Sequence, residues 1–214
     1  MSNFIPPFRI HLLRKYSPTK QCEVLDIGSG SHSATITKKH FPSCHYTGVD
    51  RDQNYDNDPA DVANMDNFIQ LDLTELQFDG IKDNHYDIIV MSHIIEHLYN
   101  GDEVVRLLQT KLKKGGIFYV EFPCEASTKF PSKKGTLNFY DDETHVRIYS
   151  IEEVSSIFKT GGFNVLKSGK NRRLINILLM PIKIVWQKLR LGYVKGGVYW
   201  DWYGFADYVV AKKN

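Results

Sequence analysis

The 214-residue chain has no run of about 20 apolar residues, the length a helix needs to cross a bilayer, so no transmembrane span is expected. Its start lacks the apolar core of a signal peptide, because Pro6, Pro7, Arg9 and His11 interrupt it, and no secretory leader is expected. Cysteine is scarce. Cys22, Cys44 and Cys124 cannot all pair with one another and have no metal-ligand spacing, which suits a reducing cytoplasm. There is no internal repeat and no low-complexity tract. Net charge is only +2, too small by itself to imply a nucleic-acid partner.

What remains is an ordinary globular composition, 42% hydrophobic and 24% charged, at a length that suits one α/β domain with a sizeable core. The charge is uneven. From Lys167 onward ten Lys/Arg face two acids, whereas the preceding residues carry 17 bases and 23 acids. A basic final quarter favours anionic lipid, glycan phosphate or a protein partner, or is simply a solvated face.

The chain is organised around Cys22–Ser31, in which the apolar run Val24–Ile27 empties into Gly28-Ser29-Gly30. Glycines there allow backbone angles and close approaches that a Cβ would forbid, so bare N–H groups can meet a ligand. About twenty residues on, Tyr46–Val49 ends in Asp50, an acid at a strand end suited to gripping ribose hydroxyls. The pair implies a nucleotide-like ligand.

Along the chain, residues 1–21 read as an N-terminal arm with a short helix over Phe8–Tyr16, ended by Ser17-Pro18. Strands are expected over 22–28, 45–50, 68–71, 86–91 and 117–122, beginning again at 163, and finally over 208–212. Helices are expected over 34–41, over a stretch capped by Asp102 and ended by Lys113-Lys114-Gly115-Gly116, and after the capping box Ser150-Ile151-Glu152-Glu153. Arg51–Asn67 reads mostly as loop, with room for a helical turn. Alternation of strand and helix implies a largely parallel sheet covered on both faces. The segment 172–203 is an insertion before the last strand. Pro181 is expected to break it, with Ile182, Val185, Trp186 and Leu189 at helical spacing beyond. It suits a membrane-surface helix, or a helix packed on its own domain or on a second subunit.

Several strand ends recur in order: Val24–Gly30, Gly48-Val49-Asp50, Leu71-Asp72-Leu73, Tyr86–His93 and Leu112–Gly116. Over about residues 20–165 this series resembles the class I S-adenosylmethionine-dependent methyltransferases. His93-Ile94-Ile95-Glu96-His97-Leu98 and His145–Ser150 resemble runs of the branch that methylates small molecules and glycans. The resemblance implies a Rossmann-like α/β fold: a seven-stranded, mostly parallel sheet, its last strand antiparallel and inserted between the fifth and sixth. It implies S-adenosyl-L-methionine as cofactor. Gly28, Ser29 and Gly30 would border its methionine and ribose, with Asp26 beneath the turn. Asp50 would bind the ribose hydroxyls, and Arg51 would lie near the adenine. Asp72 would accept from the adenine amino group while Leu73 packs on the ring. Ser92 and His93 would lie by the amino-acid end. Ser31-His32-Ser33 departs from the glycine-rich pattern.

Transfer to a hydroxyl requires alignment and a base, for which histidine is suited. His145 is the first candidate and His97 the second, with His93 and His97 on one side of a helix after the fourth strand. Arg147 would hold an acidic group or order the loop, and Tyr140 and Tyr149 would wall the acceptor pocket. No metal is expected, although His93, Glu96, His97 and His145 form an alternative ligand set. Residues 123–150 read as an acceptor-side lid within a single 1–214 domain. The expected activity is O-methylation of a small molecule, a glycan or a lipid-linked glycan precursor. It would act in the cytoplasm or at the inner face of the membrane, with peripheral membrane contact through residues 174–195 and no nucleic acid. RNA methylation and a non-catalytic cofactor-binding assembly subunit are the alternatives. A nicotinamide-dependent oxidoreductase is disfavoured by the missing third glycine.

Overall fold

The computed structural model describes residues 6–17 and 21–214. The first residues of the expected arm, and Pro18, lie outside the described residues. The arm's helix, α1, spans Phe8–Tyr16. It buries Ile10, Leu12 and Leu13 and passes at Ser17 into extended backbone.

Seven strands form one sheet. They are β1 (Glu23–Ile27), β2 (His45–Asp50), β3 (Asn67–Gln70), β4 (Tyr86–Ser92), β5 (Leu112–Pro123), β6 (Phe163–Lys170) and β7 (Ala206–Lys213). Their order is β3-β2-β1-β4-β5-β7-β6, and β7 runs antiparallel to both neighbours, as the resemblance implied. The parallel strands are buried on both faces and therefore read as continuous apolar runs. One face packs Leu25, Ile89, Phe118 and Val209 under Val104, Leu108, Val154 and Phe158. The other packs Val24, Tyr46, Ile88, Tyr119 and Tyr208 under α1 and Ala34.

Helices α2 (Ser33–His40), α3 (Pro59–Ala63), α4 (Gly101–Lys111), α5 (Ile151–Thr160), α6 (Leu174–Leu191) and α7 (Trp200–Tyr203) complete the chain. The Ser150–Glu153 capping box opens α5 as expected, with the Ser150 hydroxyl accepting from the Glu153 N–H. All three cysteines are buried and free.

Three local expectations are corrected. Asn100 occupies the N-cap of α4, and Asp102 lies in its first turn, where its charge still faces the positive helix end. The helix ends at Lys111, and Lys113–Gly116 belongs to a long β5, with Gly115 in the left-handed region at φ +80°. The acidic 51–67 stretch is mostly loop, as expected, and its helical turn is α3, capped by Asp58 through a reciprocal box with Asp61. Pro181 does not break α6, which runs unbroken for 18 residues. None of its residues is buried.

Register places the site. Ile27 pairs with Val49 on one side and Met91 on the other, while Asp50 pairs with Gln70. The carboxyl ends of β1, β2, β3 and β4 therefore form one edge, and the strand order reverses between β1 and β4. Open α/β sheets bind ligands at such a switch point.

Phe158 is fully buried, whereas Ile182 on α6 is two-thirds exposed. Phe158→Ala should lower unfolding free energy by about 3–5 kcal/mol. Ile182→Ala should change it by less than about 0.5 kcal/mol. Urea titration monitored by circular dichroism measures both.

Candidate functional site

Gly28 leaves β1 at φ +74°, a conformation that any side chain would strain. Its N–H donates to the Val49 carbonyl at 2.8 Å, tying the turn to β2. A Cβ at Gly30 would stand 2.7 Å from the Tyr55 carbonyl oxygen, so the 51–58 loop closes against the turn. Beneath it lies Asp26, buried, accepting from the Ser33 hydroxyl and from the Tyr46 hydroxyl at 2.7 Å. Burial raises the Asp26 pKa, against the pull of Arg9 and these two donors. Arg9 reaches from α1 to the Ser33 hydroxyl at 2.9 Å.

The unorthodox exit has its own support. Ser31 and His32 are both left-handed, at φ +53° and +59°. Asp61 of α3 takes the His32 ring and the Thr35 hydroxyl, each at 2.5 Å. Where glycines are missing, a buried carboxylate from a neighbouring helix holds the backbone.

The remaining sequence-stretch candidates line the same edge. Asp50 Oδ1 accepts from the N–H groups of Arg51 and Asp52, at 2.7 and 3.4 Å. Asp72 caps a short turn, its Oδ1 accepting from the Thr74 N–H and hydroxyl at 2.9 and 2.6 Å. Leu73 is buried beside it. The hydroxyls of Ser29 and Ser92 are buried with no hydrogen-bond partner among the described residues. Buried polar groups are rarely left so, which marks this edge as a place for a polar ligand.

His93 and His97 do not share a helix face. His93 is left-handed, at φ +56°, which ends regular structure, and only a single 3₁₀ turn over Ile95–His97 follows. The His93 ring lies between two carboxylates, 3.2 Å from Glu96 Oε1 and 3.1 Å from Glu121 Oε1. Burial alone would lower its pKa, but Glu121 and Glu96 raise it to about 10. His93 is therefore an imidazolium at neutral pH and carries no lone pair for a proton. Glu121 also accepts from the Tyr119 hydroxyl and from Asn171 Nδ2, and Trp200 lies 5.2 Å from the His93 ring.

The other two histidines meet. The rings of His97 and His145 are 4.8 Å apart, centroid to centroid. His145 Nδ1 donates to the Phe139 carbonyl at 2.6 Å, which leaves Nε2 as its acceptor atom. Thr144 spends its proton on Asp142 at 2.5 Å, so His97 Nδ1 donates to the Thr144 oxygens and likewise keeps Nε2 free. One ligand atom each from Glu96, His97 and His145 lies within 4.8 Å of the others. Glu96 Oε2 is buried there without a hydrogen-bond partner. The four-residue ligand set thus becomes three, because His93 is engaged by Glu121. Arg147 orders the loop through Asp102 at 3.1 Å, and Tyr149 is buried against Phe122 instead of walling a pocket.

Residues 5–168 match the methyltransferase domain family. The chain belongs to that family. Three-dimensional comparison agrees. An S-adenosylmethionine-dependent methyltransferase from Archaeoglobus fulgidus is similar with a TM-score of 0.62 and 22% identity, covering 96% of this chain and 93% of that one. A second, from Mesorhizobium loti, gives 0.66 at 13% identity, over 95% and 96%. Phosphoethanolamine N-methyltransferase 2 of Haemonchus contortus gives 0.66 at 20% identity, over 99% of this chain and 54% of that one. In sequence, 120 residues are 32% identical to the highly reducing polyketide synthase easB of Emericella nidulans. That match takes in 50% of this methyltransferase and only 5% of the synthase. The resemblance seen in the strand ends is thereby borne out at the level of family and fold.

Sequence reasoning missed Arg9, Tyr46, Asp61, Glu121 and Trp200. Only Asp61 left a signal, in the capping pattern Asp58-Pro59-Ala60-Asp61.

Because the folded pKa of His93 lies above its ordinary 6.5, its ion pairs stabilise the methyltransferase fully below that pH. The contribution is lost as pH rises through about 10. His93→Gln should therefore be most destabilising near neutrality, with the gap from the parent narrowing up to pH 10. Urea midpoints of both proteins across that range test this.

Proposed function

We propose that this methyltransferase moves the methyl group of S-adenosyl-L-methionine to a hydroxyl of a small molecule or glycan, lipid-linked glycan precursors included. It works in the cytoplasm, on acceptors that reach the inner face of the membrane. The observation that carries this reading is the pair of imidazoles at the sheet edge, His145 and His97, each with Nδ1 hydrogen-bonded and Nε2 without a hydrogen bond, that of His145 facing the Asp142 carboxylate at 3.9 Å.

The donor site is the switch-point edge. Gly28, Ser29 and Gly30 border the methionine and ribose, Asp26 braces the turn, and Asp50 takes the ribose hydroxyls. Arg51 flanks the adenine, Asp72 accepts from its amino group through the carboxylate oxygen not spent on Thr74, and Leu73 packs on the ring. Ser92 and the His93 imidazolium stand at the amino-acid end. The unpartnered Ser29 and Ser92 hydroxyls support a polar ligand at this edge. The Haemonchus methyltransferase of similar fold, solved with S-adenosyl-L-methionine, supports the identity of the donor.

In the transfer, the acceptor oxygen attacks the methyl carbon in line with the departing sulfur. The carbon–sulfur bond breaks, S-adenosylhomocysteine leaves, and the hydroxyl proton passes to Nε2 of His145. The sulfonium is already activated, so positioning and exclusion of water carry much of the acceleration. The 123–150 stretch supplies the cover. Asp141 knots it by accepting from the N–H groups of Lys133, Leu137 and Asn138 at 2.8–3.0 Å.

Asp50→Ala should weaken S-adenosyl-L-methionine binding about tenfold or more, with little change in the rate of the bound complex. His145→Ala should leave donor binding intact and slow turnover by about 10²–10⁴-fold. Calorimetry and transfer from labelled donor into fractionated extracts separate the two effects. Label in small-molecule or glycan fractions supports the reading. Label in RNA assigns the site to nucleic-acid methylation, and donor binding without transfer assigns it to a non-catalytic subunit.

The orphaned Glu96 Oε2 favours a second reading, in which Glu96, His97 and His145 hold a divalent cation. Such a cation would acidify the acceptor hydroxyl. Elemental analysis of protein purified without added metal decides between them: near-stoichiometric metal with activity lost to chelator selects the cation, and its absence selects the base.

A further inference from the structure

We propose that α6 is a membrane-docking helix that lies in the interface of an anionic bilayer and holds the acceptor side of the methyltransferase against it. The proposal deepens the reading of an acceptor at the inner face of the membrane, and in that respect rests on it.

α6 carries a continuous apolar arc on its exposed side. At 3.6 residues per turn, Leu174, Val185, Leu178, Leu189, Ile182, Ile175 and Trp186 follow one another around an arc of about 120°. Every one of them is exposed, Leu174, Leu178 and Leu189 by 79%, 73% and 84%. The face turned to the protein is mixed: Ile177, Met180 and Ile184 are half-buried there, Asn176 donates to Asp201 at 2.9 Å, and the Gln187 side-chain oxygen accepts from the Lys195 N–H at 2.8 Å. Packing on its own domain accounts for the half-buried Ile177, Met180 and Ile184 but leaves the outward arc without a partner.

The charge around the arc matches an anionic surface. Between residues 167 and 200 the chain has eight Lys/Arg and no Asp or Glu. Lys188 and Arg190 flank the arc, one on each side, placed to reach headgroups while their stems lie along lipid. The Arg190 guanidinium sits 5.1 Å over the Trp186 ring, at the level where an interfacial tryptophan belongs. Trp202 and Tyr203 are exposed beside the start of the helix, where Arg172 donates to the Trp202 carbonyl at 2.6 Å. A second copy of this chain would instead set one basic segment against another, which charge opposes. Among the described residues no helix is long and apolar enough to cross a membrane, so docking would be in the interface plane.

The docked helix is joined to the acceptor mouth. Beyond it, the Gly196 N–H donates to the Lys134 carbonyl at 2.9 Å, and Trp200 Nε1 donates to the Thr136 carbonyl at 2.6 Å. Trp200 also packs on His93. The segment anchoring α6 is thus the one that lies against the 123–150 cover, so docking would bring the mouth to the bilayer surface.

The test is sedimentation with vesicles of phosphatidylcholine plus phosphatidylglycerol, compared with phosphatidylcholine alone. The protein should partition onto the anionic vesicles, less so at high salt, with a blue shift in tryptophan emission that Trp186→Phe largely removes. The double variant Leu178→Glu, Leu189→Glu should lower partition about tenfold or more. It should keep its circular dichroism and its calorimetric binding of S-adenosylhomocysteine, since neither side chain is buried. Equal partition of parent and double variant overturns the proposal. So does a dimer in sedimentation velocity that the double variant dissolves, because a second copy then covers the arc. Docking without methyl transfer to any lipid-linked fraction would overturn the acceptor reading alone, and transfer to a lipid-linked fraction without docking would overturn this proposal alone.

Discussion

The alignment of four strand ends governs this protein. Ile27, Val49 and Met91 stand side by side in parallel register, and Asp50 stands beside Gln70. Once those pairings form, Gly28, Asp50, Asp72 and Ser92 must emerge on one edge, although they are spread over more than sixty residues of chain. The left-handed turn at Gly28 and its hydrogen bond to Val49 fasten the first two ends together. A register slip of one residue would send these side chains to the opposite faces, so the same apolar packing that stabilises the sheet also specifies the site.

Around that edge the charged groups divide into two kinds. Asp26, Asp61, Glu121 and the His93 imidazolium are engaged with other protein groups, and they hold backbone in conformations it would not otherwise keep. Successive left-handed residues at Ser31 and His32 persist because Asp61 and the buried Asp26–Ser33 bond over-determine them. His97 and His145, by contrast, have one ring nitrogen hydrogen-bonded and one without a hydrogen bond, the latter in His145 lying 3.9 Å from the Asp142 carboxylate. A group with unspent hydrogen-bonding capacity at a ligand edge is where chemistry is available, and the two imidazoles are brought there by the turn after β4 and the loop before α5.

The distribution of apolar surface extends the same logic outward. The two faces of the sheet bury most of the large aliphatic side chains of the strands and flanking helices that precede α6. The basic last quarter spends its apolar residues differently. Its strands β6 and β7 complete the sheet, while α6 presents leucines, a valine, isoleucines and a tryptophan to the outside and turns a mixed face with Ile177, Ile184, Asn176 and Gln187 toward the protein. Acidic body and basic, apolar flank give the molecule two distinct sides.

Much of the fold was legible in the residues. Apolar runs of four to seven residues located every strand, and the glycine turn with its downstream acids located the donor edge. Local chemistry of that kind is written in adjacent positions, so the chain by itself determined the strands, the capping box at Ser150 and the family. What only the tertiary structure decided depends on residues far apart in sequence. Glu121 takes the His93 ring from 28 positions away, which removes His93 from the alternative metal-ligand set and makes it a fixed cation. His97 and His145, 48 positions apart with α4 and β5 between them, become neighbours. Pro181 remains within α6, and the periodicity of α6 was plain from the sequence, but which way its apolar arc points was not. Periodicity fixes the existence of a face; only packing against the other elements decides whether that face turns toward the core or toward a partner.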